Sequence, residues 1–249
     1  ATHAAIALQA DKLIFLSDTA GLTQDGKLLR ELTAQSATDW LAHNPHTHED
    51  TRLYLPCAIR ATREGVKRAH LISRHEDGGL LSELFTHQGI GSMITRDALV
   101  HIRQAQIDDV ASILAMLEPL EQAGVLVKRG RERLEMEINH FIVLVHDERI
   151  VGCAALYPYP ETHMAELACV VVASEARGRQ FGEQLLQYAE QHAQQQGLNA
   201  LFVLTTQTAH WFIERGFAPA SVSDLPEQKK ALYNYQRQSK VFVKRLPQA

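Results

Sequence analysis

The chain has 249 residues, of which 45% are hydrophobic, and a formal net charge of −4 at pH 7. This length holds one large domain or two modest ones, and the composition is that of a globular protein. The slightly acidic charge excludes a strongly basic chain of the kind that binds nucleic acid or an anionic membrane surface. No apolar run approaches the roughly 20 residues of a membrane span, and residues 1–10 lack the features of a signal peptide.

The cysteines and histidines do not indicate a disulfide framework or a metal site. Cys57, Cys153 and Cys169 are widely spaced and odd in number, which favours a reducing, cytoplasmic location. Histidines cluster within residues 43–48, but the proline and asparagine among them mark a solvated loop. We therefore expect no bound metal.

The N-terminal part of the chain predicts alternating strands and helices. Apolar strands are expected over 12–16 and 69–73, with a helix over 55–66 between them. Two glycines at 78–79 open a further helix, which ends near residues 88–92. This alternation is typical of βα units, so we expect a parallel sheet.

A different pattern begins near residue 95. The expected elements are a strand over 100–105, helices from 108 and over 131–139, a hairpin over 141–156, a strand around 167, a helix from 183, a strand over 201–204, a helix over 209–215 and closing strands near 217 and 241. We therefore divide the chain into residues 1–95 and 96–249. No glycine- or serine-rich linker separates the two parts.

The stretch from residue 166 to 197 is the most informative one for function. An apolar, β-branched run is followed by a turn rich in arginine and glycine, and then by an amphipathic helix. Such a turn directs several backbone N–H groups and a helix N-terminus at one point, which makes a pyrophosphate site. The alternative is a generic strand–turn–helix with a glycine cap.

The order of elements in the C-terminal part, together with two motifs, resembles the GNAT acetyltransferases. The first motif is the turn at residues 177–182, which departs from the family pattern at Gln180, where glycine is usual. The second is the aromatic helix ending in Gly-Phe at residues 211–217. The resemblance implies acetyl-CoA as the co-substrate and no metal. The cofactor-binding residues it implies are Cys169, Val170, Val171, Arg177, Gly178, Arg179, Gln180, Phe181 and Gly182.

The GNAT resemblance also implies direct attack of an amine on the thioester. Backbone N–H groups near Cys169 and Val170 would hold the developing oxyanion. Glu166 is the candidate base, acting through water, and a strand-end carboxylate without catalytic role is its equally weighted alternative. Cys169 has no neighbouring histidine, so we interpret it as a core thiol rather than a nucleophile.

Further runs resemble the N-acetylglutamate synthase family over the whole chain; these lie at residues 126–131, 201–206, 210–212, 226–230 and 232–240. The resemblance implies synthesis of N-acetyl-L-glutamate from acetyl-CoA and L-glutamate, the first step of arginine biosynthesis.

The same resemblance implies that Arg129 and Arg237 hold the two substrate carboxylates. Lys128 lies beside them, and Thr205 lines the site as a catalytic residue. Without the resemblance, the basic residues near 128–131 would be interpreted as a solvated turn. Tyr233, Tyr235 and His210 are candidate proton donors to the departing thiolate, and packing or a structural hydrogen bond is the favoured role of the two tyrosines.

Residues 13–22 and 79–94 resemble the C-terminal lobe of the amino-acid kinase fold, entered partway, so kinase activity is not expected. The resemblance implies a site for L-arginine, a feedback inhibitor, at Glu83, Gly89 and Gly91. The alternative is a helix-surface glutamate followed by a glycine C-cap. A homo-oligomer is implied as well.

The expected fold class is therefore α/β: a GNAT acetyltransferase fold preceded by the C-terminal part of an amino-acid kinase-like domain. An N-acetylglutamate-forming acetyltransferase is the leading functional hypothesis. An arginine-responsive regulatory module with weak catalysis and a GNAT enzyme for another small amine are the alternatives.

Overall fold

The computed structural model describes residues 1–86, 89–233 and 239–247. Its backbone separates into two compact units, Ala1–Leu99 and Val100–Ala249. Within the described parts of the chain, no helix has the length and apolar character needed to cross a bilayer. No group of three or more His, Cys, Asp or Glu side chains among those residues could hold a metal ion.

The first unit is a small α/β unit. In chain order, its elements are α1 (Thr2–Ala7), β1 (Lys12–Ser17), β2 (Thr23–Gln24), β3 (Lys27–Leu28), β4 (Glu31–Thr33), α2 (Ala34–His43), α3 (Glu49–Arg63), β5 (Arg68–Ser73), α4 (Gly79–Phe85) and β6 (Ser92–Thr95). Helix α3 begins six residues before the predicted start, because Glu49 and Asp50 in its first turn suit the positive end of the helix dipole.

The main sheet of this unit has the strand order β1–β5–β6–β4. The β1–β5 and β4–β6 pairs are parallel, but β5 and β6 are antiparallel. The expectation of a parallel sheet is therefore wrong at this pair, because the chain returns beside β5 in the opposite direction after the short helix α4. Leu55 and Ile59 of α3 pack with Phe15, Leu71 and Ile94 of the sheet in one apolar cluster.

The second unit carries a larger sheet with helices on both faces. Its elements are β7 (Val100–Gln104), α5 (Val110–Gln122), α6 (Arg131–Glu137), β8 (Phe141–His146), β9 (Arg149–Tyr159), β10 (Met164–Val172), α7 (Phe181–Gln195), β11 (Ala200–Thr205), α8 (Ala209–Ile213), β12 (Ala218–Ala220), α9 (Glu227–Ala231) and β13 (Lys240–Arg245). The sheet order is β12–β13–β11–β10–β9–β8–β7.

The alternation of side chains along β8 explains why this sheet is covered on both sides. Ile142 and Leu144 join the cluster that packs against α7, whereas Phe141, Val143 and Val145 join the cluster beneath α5 and α6. Successive side chains of a strand point to opposite faces. An uninterrupted apolar strand therefore requires a helical layer on each face, and this three-layer arrangement positions the site described next.

Candidate active site

A cleft opens in the second unit where β10 and β11 separate. The two strands pair in parallel from the Met164–Ala200 pair to the Glu166–Phe202 pair. Beyond Glu166 and Phe202 they diverge. The cleft has a volume of about 660 Å³. It is lined by the second half of β10, the 176–183 turn, the end of β11, helix α8 and Leu120, Val125 and Leu126.

Strand β10 is irregular beside the cleft. Ala168 pairs with Ala155 and Val171 with Cys153 of β9, so two residues of β10 oppose one of β9. This is a β-bulge, which bends a strand and removes backbone groups from the regular ladder. Cys169, inside the bulge, has a φ of 52°, in the left-handed region that costs a non-glycine residue roughly 1–3 kcal/mol. Strained backbone often lies at ligand-binding sites, so the bulge beside the cleft is a candidate point of contact with a ligand.

The turn before α7 forms one end of the cleft. Gly178 has a φ of 80°, which glycine adopts freely. Gln180, the irregular member of the motif, has a φ of 60° and so adopts the left-handed conformation that glycine would take. The first helical hydrogen bond joins the Gln184 N–H to the Gln180 carbonyl at 3.1 Å, so the amides between them remain available to a ligand. The turn therefore keeps the anion-binding backbone without the usual glycine.

Arg177 of this turn is exposed, whereas Arg179 is half-buried. Nη1 of Arg179 lies 3.5 Å from Nε2 of His146, on β8. Phe181 is buried against the sheet, and its ring lies 5.8 Å from that of His146. The turn is thus held to the sheet by Phe181 while the Arg177 guanidinium faces solvent at the edge of the cleft.

Three residues, from α7, α8 and the turn after α8, close this end of the cleft, and none of them was predicted from the sequence as a site residue. The Arg215 guanidinium stacks on the Trp211 ring, 4.2 Å from the centroid, and its Nε donates to Glu183 at 2.7 Å. All three residues line the cleft. The four-residue spacing of Trp211 and Arg215, within a run predicted as one helix, was the available signal. In the structure, α8 ends at Ile213 and Arg215 lies in the turn that follows it.

Arg129 lies in a buried polar cluster on the α5–α6 side of the sheet. Its side chain is 13% exposed, and its Nε is buried without a hydrogen-bond partner among the described residues. Glu137 Oε2 is 3.9 Å from that nitrogen and accepts a 2.6 Å hydrogen bond from Tyr157. The Arg129 N–H donates to Glu121 at 2.8 Å, which fixes the loop after α5. Nη1 of Arg129 donates to the Val127 carbonyl at 3.5 Å, so Nε is the donor that an incoming carboxylate could take up.

The charge of Arg129 is stabilised by its surroundings. Burial alone would lower the pKa of Arg129, but Cys169, Tyr157 and Glu137 outweigh it and raise that pKa. Burial would likewise raise the pKa of Glu137, yet hydrogen bonds from Tyr157 and Arg133 lower it. The guanidinium therefore stays charged beside a carboxylate that also stays charged.

Glu166 is buried at the start of the cleft rather than exposed at a strand end. Its Oε2 lies 2.6 Å from Nζ of Lys229, on α9. Thr205, at the end of β11, lines the cleft; its Oγ1 lies 2.9 Å from Oγ1 of Thr208 and accepts from the Thr208 N–H at 3.1 Å. These contacts fix the orientation of the Thr205 hydroxyl at the cleft wall.

The remaining sequence candidates of the second unit are distributed differently. Lys128 is exposed, next to the buried Arg129. Tyr233 Oη donates to the Ser239 carbonyl, and the exposed His210 lies 3.2 Å from Glu214. Arg237 and Tyr235 lie outside the described residues.

In the first unit, Glu83 is buried, not exposed on the surface of α4. Its Oε1 lies 2.6 Å from Nδ1 of His70, and its Oε2 accepts from the N–H groups of Ile90 and Gly91 at 2.6 and 3.1 Å. Burial would raise the pKa of Glu83, but these hydrogen bonds outweigh it and lower that pKa to about 2. Glu83 is therefore an ionised internal anchor for the loop before β6.

At both ends of this loop, the surrounding atoms leave no room for a side chain larger than that of glycine. A Cβ on Gly89, whose φ is 54°, would lie 2.7 Å from Oε2 of Glu83. A Cβ on Gly91 would lie 2.2 Å from the Leu71 carbonyl oxygen. The structure thus brings Glu83, Gly89 and Gly91 together through contacts within the unit.

Comparison with known proteins agrees with both units. Residues 110–217 match the acetyltransferase (GNAT) family, and residues 1–73 match the amino acid kinase family. Over 247 residues, 99% of this chain, the sequence is 48% identical to an amino-acid acetyltransferase of Ralstonia nicotianae. The chain is thus similar, over nearly its whole length, to amino-acid acetyltransferases. It covers 54% of the length of that relative, and so spans about half the length of the curated relatives it matches.

Two solved structures show the same similarity in three dimensions. An N-acetylglutamate synthase from Neisseria gonorrhoeae, complexed with coenzyme A and L-arginine, is 39% identical with a TM-score of 0.85, covering 98% of this chain and 56% of that one. A structure of N-acetylglutamate synthase from the same organism, complexed with coenzyme A and N-acetyl-glutamate, is 40% identical with a TM-score of 0.59, covering 100% of this chain and 58% of that one. The expected fold class is confirmed.

Proposed function

We propose that the chain transfers the acetyl group of acetyl-CoA to the α-amino group of L-glutamate, giving N-acetyl-L-glutamate and CoA. The observation that carries the proposal is the cleft between β10 and β11. It has a bulged strand on one wall and a helix N-terminus at one end, and the buried Arg129 lies on the side opposite α7. The solved relatives with coenzyme A and N-acetyl-glutamate support the same substrates here.

The turn at residues 177–182 is the proposed pyrophosphate end of the acetyl-CoA site. Gly178 and Gln180 give it the backbone that exposes consecutive N–H groups, and α7 adds the positive end of its dipole. Arg177 and Arg179 add fixed positive charge. The apolar cleft wall made by Val170 and Val171 suits the aliphatic arm of the cofactor.

The bulge at Cys169 and Val170 is the proposed place of acetyl transfer. Backbone N–H groups freed from the ladder can hold the negative charge that develops on the thioester oxygen. The amine nitrogen forms a bond to the carbonyl carbon, the carbon–sulfur bond breaks, and the thiolate takes up a proton. Burial raises the pKa of the Cys169 thiol to about 11, which favours direct transfer over an acyl-cysteine intermediate.

Glu166 is the proposed base for the substrate ammonium, since only the neutral amine has a lone pair for attack. Thr205 is proposed to orient the water or amine from the facing wall. Arg129 and Arg237 are proposed to hold the glutamate carboxylates, with Lys128 adding positive charge at the entrance. The unpaired, buried Nε–H of Arg129 supports this assignment.

A thiol-release assay tests the proposed function. Release of CoA from acetyl-CoA should depend on L-glutamate, and mass spectrometry should identify N-acetyl-glutamate as the product. Glutamate-independent release, or faster release with aspartate, lysine or another amine in a panel, would replace this proposal by a GNAT enzyme for that amine.

Arginine binding by the first unit is the second candidate function. The related synthase that is 39% identical was solved with L-arginine. We propose that L-arginine inhibits at the loop shaped by Glu83, Gly89 and Gly91, in a regulatory domain of residues 1–95 that precedes an acetyltransferase domain of residues 96–249. Calorimetric titration that detects no heat of arginine binding would exclude this role for the chain.

A homo-oligomer and a cytoplasmic location complete the proposal. The three cysteines, which form no disulfide in the structure, are consistent with a reducing compartment. Light scattering measures the assembly state directly, and a monomer at micromolar concentration would contradict the oligomer.

A further inference from the structure

Two acidic side chains lie beside Arg129, yet its buried Nε has no hydrogen-bond partner within the described part of the chain. Oε1 of Glu121 accepts the backbone N–H of Arg129 at 2.8 Å. Oε2 of Glu137 lies 3.9 Å from Nε, beyond hydrogen-bond distance. Opposite charges attract strongly away from water, so a buried guanidinium this close to Glu137 would be expected to pair with it directly. Other contacts must therefore restrain the Glu137 carboxylate.

Both oxygens of Glu137 are occupied by other donors. Oε1 accepts from Nε of Arg133 at 2.8 Å, and Oε2 accepts from Oη of Tyr157 at 2.6 Å. The Arg133 side chain is 57% exposed, so solvent weakens its pair with Glu137, and the contact with the half-buried Tyr157 is the firmer restraint. Burial and the bond to Glu137 raise the pKa of Tyr157 above its usual range, so the hydroxyl remains a donor.

The sheet fixes the ring of Tyr157 independently of Glu137. On β9, Tyr157 pairs with Glu166 of β10 in the antiparallel register, and its side chain packs against the apolar cluster beneath α5 and α6. Its ring centroid lies 5.0 Å from that of His140. The sheet therefore presents the hydroxyl to a carboxylate on helix α6. Loss of the hydroxyl alone should release Oε2 of Glu137 while the ring stays in place.

We propose that Tyr157 is a positioning residue that holds Glu137 away from Arg129, so that Nε of Arg129 stays open to a carboxylate of the substrate. Glu137 and the substrate compete for one donor, and the tyrosine hydroxyl occupies the internal competitor. From 3.9 Å, Oε2 needs to move only about 1 Å to reach an ordinary hydrogen-bond distance from Nε. This inference rests on the proposed binding of glutamate by Arg129 and adds the residue that keeps that arginine available.

Steady-state kinetics with a double-mutant cycle test the proposal. Tyr157→Phe should raise the KM for glutamate about tenfold and leave kcat and the KM for acetyl-CoA nearly unchanged, because the substrate must then displace Glu137. Adding Glu137→Gln should restore the KM for glutamate to within about twofold of wild type, since a neutral amide competes weakly for a guanidinium. Tyr188→Phe, on α7 at the other face of the sheet, is the matched control and should behave as wild type.

A merely structural role for Tyr157 predicts the opposite result in the cycle. The losses caused by Tyr157→Phe and Glu137→Gln would then add instead of cancelling. An unchanged KM for glutamate in Tyr157→Phe, or a raised KM that the double variant does not relieve, would overturn the proposal and leave the proposed function in place.

NMR of the arginine Nε–H groups gives a readout that does not depend on turnover. The Arg129 signal, identified by its loss in Arg129→Lys, should move downfield in Tyr157→Phe as Nε–H bonds to Glu137, and return in the double variant. If the wild-type chain releases no CoA with glutamate, the proposed function fails, and this signal still tests the position of Glu137. Should Tyr157→Phe not fold, Glu137→Gln alone decides: a large upfield movement of the Arg129 signal would show a pair already formed in the wild type and contradict the proposal.

Discussion

Gly182 packs so closely against the indole of Trp211 that a Cβ at position 182 would lie 3.1 Å from Cζ2. This approach joins the first turn of α7 to α8 at the end of the cleft. Both residues line that cleft, and Arg215 covers the ring at 4.2 Å. A ligand that enters the turn must therefore change the environment of Trp211.

Tryptophan fluorescence should report this change. The chain contains two tryptophans, Trp40 in the first unit and Trp211 in the second. In a Trp40→Phe variant, titration with CoA should alter the emission intensity to saturation. A Trp211→Phe variant, which keeps Trp40, should show no change. A fluorescence change that persists in Trp211→Phe and is lost in Trp40→Phe would contradict the proposed cofactor position.

Replacing Gln180 by glycine should not weaken the proposed cofactor site. The residue adopts a φ of 60°, which costs an L-residue roughly 1–2 kcal/mol and costs glycine almost nothing. The greater freedom of glycine in the unfolded chain offsets part of this gain. We expect Gln180→Gly to raise the free energy of unfolding by up to about 1 kcal/mol, measured by denaturant titration, with no increase in the KM for acetyl-CoA.

Gln184 provides the matched control for that substitution, since it lies inside the right-handed helix α7. Gln184→Gly should lower the free energy of unfolding by about 0.5–1 kcal/mol. If both variants were destabilised equally, the left-handed conformation at Gln180 would be contradicted.

Arg129 should determine the apparent affinity for glutamate far more than that for acetyl-CoA. Loss of a charge-assisted hydrogen bond costs roughly 1.5–3 kcal/mol, about 10- to 150-fold in kcat/KM. We expect Arg129→Ala to raise the KM for glutamate within that range, and Arg129→Lys to restore little, because an ammonium lacks the planar fork. Lys128→Ala, at the exposed neighbouring position, should have a much smaller effect. Equal changes for both substrates would contradict the assignment.

Local sequence patterns predicted the parts of the fold that depend on neighbours in the chain. The run through β10, the glycine turn and α7 could be recognised because periodicity and turn chemistry are local signals. The burial of Glu83 could not, because its partners His70 and Gly91 are brought together only by tertiary packing. The same holds for Glu166 and Lys229, which are 63 positions apart and meet only across the sheet.

The three cysteines should differ sharply in reactivity. Burial raises the pKa of Cys169 to about 11 and that of Cys153 above its usual range as well, whereas Cys57 is only half-buried. At pH 8, a disulfide reagent should modify Cys57 readily and the other two only after unfolding. Cys57→Ser should abolish the reaction of the folded chain. Rapid modification of Cys169 without unfolding would instead identify it as an accessible, activated thiol.

The anchor role of Glu83 should make the loop before β6 sensitive to acid. The pKa of Glu83 is lowered to about 2 from a usual 4.5, since its hydrogen bonds to His70, Ile90 and Gly91 outweigh the effect of burial. A carboxyl group with a lowered pKa in the folded state stabilises that state fully above about pH 4.5. The stabilisation, roughly 3 kcal/mol, is lost progressively as the pH falls from 4.5 towards 2.

Hydrogen exchange can measure this pH dependence at the two backbone amides that donate hydrogen bonds to Glu83. In the wild-type chain, protection of the Ile90 and Gly91 amides should fall between pH 4.5 and 2, after correction for the intrinsic exchange rate. In Glu83→Gln, whose side chain cannot ionise, protection should be low already at pH 7 and nearly constant with pH. Glu76→Gln, at an exposed position of the same unit, should follow the wild type. Protection that is independent of pH in the wild-type chain would show that the loop is held by other contacts, and the proposed arginine site would then lose its anchor.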